Sequence, residues 1–189
     1  ELWSQDIRDK LGQKASLAFP DKLKRMVAAN KKRWAYIYKS YRQEATAEFS
    51  KLKHDPLFLA GIMLYWGEGE KIAKSSVVRL SNSEPEMIKI FNLFLTRAIG
   101  IPPENIYTWL LLYPDLIDTV QKNFWSKTIG ISLEQFKRSV YIKGHHPKKR
   151  LSYGVCTIFV QSRALKERML KWLELYQDFL RSHAQSLEK

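Results

Sequence analysis

Cysteine is almost missing from this sequence: Cys156 is the single one in 189 residues. One thiol excludes an internal disulfide and a cysteine-built zinc site, and it makes a reducing compartment the default. Long apolar runs are missing too. The longest uncharged apolar run, residues 56–67, has 12 residues, well short of the roughly 20 a membrane-spanning helix needs. Residues 1–20 carry Glu1, Asp6, Arg8, Asp9, Lys10 and Lys14, unlike a secretory leader. The chain opens without Met and in mid-pattern, as expected of a piece of a longer protein. Nucleotide-binding glycine fingerprints, a P-loop, a Ser-His-Asp pattern and internal repeats are all absent. Acids are scarce relative to bases, 19 against 32, for a formal net charge of +13. The expectation is a soluble cytoplasmic protein whose partner is a polyanion.

What is present begins with aromatics. Six Trp, nine Tyr and nine Phe supply core formers that a disordered chain lacks. The positive charge is concentrated in two places. Residues 22–53 hold ten basic residues and two acids, and residues 137–150 hold six basic residues and no acid. The remaining chain is close to neutral. Two basic segments on a neutral scaffold predict a nucleic-acid footprint. Its expected contacts are Lys31, Lys32, Arg33, Lys39 and Arg42 in the first segment, and Arg138, Lys143, Lys148, Lys149 and Arg150 in the second. Lys74 and Arg79 lie between them.

Periodicity predicts mixed elements. Residues 2–11 read as a helix end, with Gly12 and Pro20 as breaks and Asp21 as the N-cap of a basic helix over 21–53. Residues 57–67 are apolar all round, which predicts a buried helix. Strands are expected over 76–81, 106–112, 139–143 and 153–161, the last two joined by a basic hairpin tip. Helices are expected over 86–95, 115–128 and 162–182, and Asn82 is expected to cap the helix that follows it. Trp109 and Trp125 are expected in the core, with Tyr107, Trp109 and Arg79 weighed as base contacts. Without strict βαβ alternation the fold class is α+β.

One stretch carries chemistry: Gly61, Ile62, Met63, Leu64, Tyr65, Trp66, Gly67, Glu68 and Gly69. An apolar helix ends here in a carboxylate held between two glycines. The C-terminus of a helix is partly negative, so an acid is locally unfavourable there. A hard cation such as Mg²⁺, which takes oxygen ligands, removes the objection. The glycines let the chain turn away and expose carbonyls, so Glu68 and Gly67 are the expected metal ligands. Pairing of Glu68 with Lys71 or Lys74 is the simpler alternative. His145 and His146, in a basic loop, are expected to be solvated rather than ligands.

This stretch, followed by Val77, Val78, Asn82 and Ile88, resembles the LAGLIDADG homing endonuclease superfamily, in particular its diverged single-motif bacterial members. Phe124, Trp125, Gln135, Phe136, Tyr153 and Gly154 fit the same pattern, and the likeness covers about residues 56–174. Anchored on Glu68 and Gly69, it puts Met63 and Gly67 at the two small positions of the motif helix. Met63 is not small, which implies a wider helix crossing. Only seven residues separate Gly69 from Val77, which implies a reduced sheet.

The resemblance implies a LAGLIDADG-like saddle over residues 55–182, preceded by a basic helical arm (21–54) and a remnant of a helix-turn-helix region (1–20), with a tail at 183–189. It also implies a homodimer on double-stranded DNA, associated with the nucleoid, that hydrolyses phosphodiester bonds with Mg²⁺ or another divalent cation. Glu68 would hold the metal, and Lys71, Lys143 and Gln161 would assist the water. A non-cleaving DNA-binding regulator and an RNA-binding splicing cofactor are the alternatives on the same scaffold.

Overall fold

The computed structural model describes residues 4–142 and 151–187, leaving aside the side chains of 15–18 and 186–187. The chain divides into two units, Glu1–Ser40 and Tyr41–Lys189. The first helix, α1 (Gln5–Leu52), runs through that boundary without interruption. The expected breaks at Gly12 and Pro20 do not occur, and Asp21 lies inside the helix instead of capping it. Proline removes one backbone hydrogen bond and crowds the preceding turn. Good helix formers on both sides, and pairs such as Lys10–Asp6 at 2.8 Å, carry the helix through.

The second unit holds a four-stranded sheet and its helices. Helix α2 (Pro56–Glu68) starts where Asp55 accepts the Phe58 amide at 2.7 Å and Pro56 occupies the first turn. Strand β1 (Val77–Asn82) and helix α3 (Pro85–Leu93) follow, and α3 widens into a π-turn, Phe94–Ala98. Asn82 accepts the Glu84 amide at 2.8 Å, so it shapes the turn ahead of α3 rather than capping the helix. Next come β2 (Ile106–Leu112), α4 (Asp118–Ile129), β3 (Val140–Tyr141), β4 (Val155–Gln161) and α5 (Arg163–Leu187). The α+β class stands.

The strand order is β1-β4-β2-β3. β4 is antiparallel to both β1 and β2, while β3 runs parallel to β2. β3 and β4 therefore form no hairpin, because β2 lies between them. One face of the sheet turns Val78, Leu80, Leu110, Ile158 and Val160 into a core shared with the helices. Trp125 and Trp172 are fully buried there, with their indole N–H groups donated to the carbonyls of Tyr153 (2.9 Å) and Ala45 (3.0 Å). Trp109 departs from expectation: it sits half-buried on the opposite face. No helix among the described residues is long and apolar enough to cross a membrane.

Candidate functional site

Helix α2 is buried on one side only. Phe58, Gly61, Ile62 and Tyr65 enter the core, whereas Met63 and Trp66 are 45% and 37% exposed, beside an exposed Gly67. The apolar character all round the helix thus leaves an open ridge. A hollow of about 370 Å³ flanks it, its lining including Met63, Leu64, Gly67, Glu68, Met87 and Ile90. A side chain added at Gly67 would meet no atom within 4 Å.

The helix stops because the next residues are claimed by the sheet. The Gly69 amide closes the last turn on the Tyr65 carbonyl at 2.9 Å, and the Glu70 amide then donates to Arg79 at 3.0 Å. Gly69 also bridges Leu80 across the edge of β1. Only glycine fits there, since a Cβ would lie 2.2 Å from the Tyr65 ring. Glu68 is left at the helix tip, exposed, and no ion pair or side-chain hydrogen bond engages it among the described residues. Lys71 does not pair with it but donates to the Trp66 carbonyl at 2.6 Å. Lys74 is exposed.

The last carbonyls of a helix lack amide partners. Glu68 and the Gly67 carbonyl are therefore oxygen donors of the kind a hard divalent cation takes. The described residues bring no three acidic, His or Cys side chains together.

Behind the tip lies a network that the sequence reading missed. Lys166 of α5 is fully buried and donates to the Tyr65 hydroxyl at 2.9 Å and to the Glu70 carbonyl. The Tyr65 hydroxyl donates to that same carbonyl. Arg79 grips the Glu70 carboxylate at 2.5 Å, while Lys166 stands 3.8 Å from its other oxygen. Burial lowers the Lys166 ammonium below its ordinary range, partly countered by Glu70 and reinforced by Arg79 and Arg163. Burial, with Glu70 beside it, raises the Tyr65 phenol. A signal was present: Lys166 stands three residues before Met169 and seven before Leu173, on the apolar face of its helix.

The outer face of the sheet forms a second cluster. Arg79, Phe159 and Tyr107 lie side by side on β1, β4 and β2, and Ser81, Thr157 and Trp109 make the neighbouring row. The Tyr107 and Phe159 rings are 5.8 Å apart, and the exposed Lys137 places its ammonium 4.0 Å over the Tyr107 ring. Gln161 is exposed at the end of β4, beside a hollow of about 600 Å³ that also touches Asn105 and Tyr107. Arg138 lines another hollow with Asp118, Ser139 and Tyr141. Ser139 (2.5 Å) and Lys122 (2.9 Å) hold the Asp118 carboxyl below its ordinary range, against the opposing effect of burial.

Other expected contacts are scattered. Lys31, Lys32, Arg33 and Lys39 are exposed on α1 in the first unit, where Trp34 stacks on Tyr38 at 5.7 Å. Arg42, in the second unit, is held by Glu174 at 2.6 and 2.7 Å, so its guanidinium ties α1 to α5. Lys143, Lys148, Lys149, Arg150, His145 and His146 lie outside the described residues. No family model, curated protein or solved structure matches the chain.

Proposed function

We propose that the chain is a DNA-binding protein of LAGLIDADG type that pairs through α2 and hydrolyses phosphodiester bonds with a divalent cation, Mg²⁺ first among them. The observation that carries this reading is the open ridge of Met63, Trp66 and Gly67 leading to an unengaged Glu68. Exposed apolar side chains gain roughly 25 cal/mol per Å² on burial, and Gly67 allows another helix to approach closely. A ridge beside a hollow on the same surface suits a two-fold pair, in which each ridge enters the other copy's hollow.

Such a pair brings two Glu68 carboxylates together, where they repel unless a cation lies between them. A bound divalent ion supplies an activated water and stabilises charge on the phosphate and the leaving oxygen. In this reading Glu68 and the Gly67 carbonyl hold the ion, and Lys71, Gln161 and Lys143 order the water. The sheet is the saddle that faces DNA, and the exposed lysines and arginines neutralise phosphates. The working location is the cytoplasm, on the nucleoid.

The test is cleavage of a duplex library by the purified chain with Mg²⁺. Wild type should cut a subset of targets, and Glu68→Gln should bind them without cutting. Binding with no cutting by wild type would replace the endonuclease with the non-cleaving regulator. A preference for structured RNA over every duplex would favour the splicing cofactor.

A further inference from the structure

The outer sheet face is poorly equipped to read an intact duplex. Sequence readout in a groove needs several donors and acceptors aimed at base edges, and in the middle of this face the polar side chains are engaged. Ser81 and Thr157 hydrogen-bond each other at 2.7 Å, and Arg79 is held by Glu70 at 2.5 Å. What stands beside them is rings. Tyr107 and Phe159 lie side by side on adjacent central strands, and Trp109 follows one row on. All three are half-buried, with part of each left accessible.

The Tyr107 ring is overlaid by the ammonium of the exposed Lys137 at 4.0 Å. A lysine so placed on a flexible stem can give up the ring to a base and take the adjoining phosphate. Flat rings on a sheet, rimmed by positive charge, suit unpaired bases: every base has a π-face, and stacking on aromatic side chains needs no base-edge code. Gln161, exposed beside Tyr107 at the rim, adds one amide that can address a base edge. The exposed Lys137 beside the rings supplies the positive charge for a phosphate.

We infer that this face binds unpaired nucleotides of DNA, single-stranded or locally melted, by stacking on Tyr107 and Phe159 with Lys137 on the phosphate. The inference rests on the DNA-binding reading above and adds to it that the bases this face holds are unpaired, as where a bound duplex melts locally.

Fluorescence anisotropy tests it, with affinities compared at one common salt concentration and slopes taken from a salt titration. The probes are a labelled oligothymidylate, an intact duplex of equal length, and that duplex with a central unpaired bulge. The first and third should bind at least about tenfold tighter than the intact duplex. Tyr107→Ala and Phe159→Ala should each weaken oligothymidylate binding roughly tenfold, while Tyr107→Phe binds as wild type does. Lys137→Glu, on an exposed side chain, keeps the test decisive if the ring variants unfold. It should weaken oligothymidylate binding and reduce the log–log salt slope by about one phosphate contact.

Equal affinity for intact and bulged duplex would overturn the inference. So would ring variants that keep their circular dichroism and bind oligothymidylate unchanged, or an unaltered salt slope for Lys137→Glu. Tenfold preference for oligouridylate would overturn the assignment to DNA. If the duplex binds and the single strand does not, this inference falls alone. If neither binds, the DNA-binding reading falls with it.

Discussion

Two glycines on α2 face opposite fates. A methyl group at Gly61 would be driven into the Phe94 ring, 2.0 Å away, whereas at Gly67 it meets open space. Gly61→Ala should therefore cost about 1–3 kcal/mol through overpacking, seen as a lower urea midpoint. Gly67→Ala should hold or raise stability by up to about 1 kcal/mol. The buried pair behind the site predicts a pH signature. Lys166 has a folded pKa below its ordinary 10.5, so between the two values the unfolded chain binds the extra proton and stability rises with pH. Tyr65 has a folded pKa above its ordinary 10.0, so beyond that value the unfolded chain loses its proton first and stability falls. Urea midpoints should climb with pH below the ordinary lysine value and turn down beyond the ordinary tyrosine value, and Lys166→Met should abolish the climb. The acid at the helix end was legible in the sequence because two glycines isolate it. Glu70 and Lys166 were not, because an ion pair across so long a separation exists only once α5 has docked.

At the scale of elements, α1 carries its proline inside rather than at an end. A proline in a helix interior costs about 3 kcal/mol relative to alanine. Pro20→Ala should raise amide protection in the turn before residue 20, measured by hydrogen exchange. The part of α1 within the second unit is tied to α5 by Arg168–Glu48 at 2.8 Å and Arg42–Glu174 at 2.6 Å. Against the effect of burial, Arg42 and Lys171 hold the Glu174 carboxyl below its ordinary range. Its stabilising contribution is present above that range and lost as pH falls through the folded value. Glu174→Gln should thus flatten the acid limb of the stability profile, by no more than about 1 kcal/mol for so exposed a pair. Most helices and the strands β1 and β2 were legible from apolar spacing and turn residues. The pairing of β4 with β1 and β2 was not, because periodicity assigns a strand its faces and not its neighbours.

For the whole molecule, association and charge are the measurable properties. If α2 is the pairing surface, Trp66→Glu should reduce a light-scattering dimer to a monomer while circular dichroism stays unchanged. A wild type that remains strictly monomeric with DNA and Mg²⁺ would remove the shared carboxylate site. Charge reversal at Lys31, Lys32 and Arg33 should weaken DNA binding and flatten its salt slope by roughly one counterion per lost contact. An unchanged slope would make the basic arm a solvated face.

By itself the sequence determined the α+β class, the two concentrations of basic residues, and the apolar helix with its terminal acid. These follow from local spacing and charge, which one chain segment carries alone. Only the tertiary structure decided that α2 leaves Met63 and Trp66 exposed, that Lys166 reaches the Glu70 carbonyl, and that Tyr107 and Phe159 stand side by side on adjacent strands. Each of those depends on which surfaces cover one another, a property of segments far apart in the chain and of the strand order that joins them.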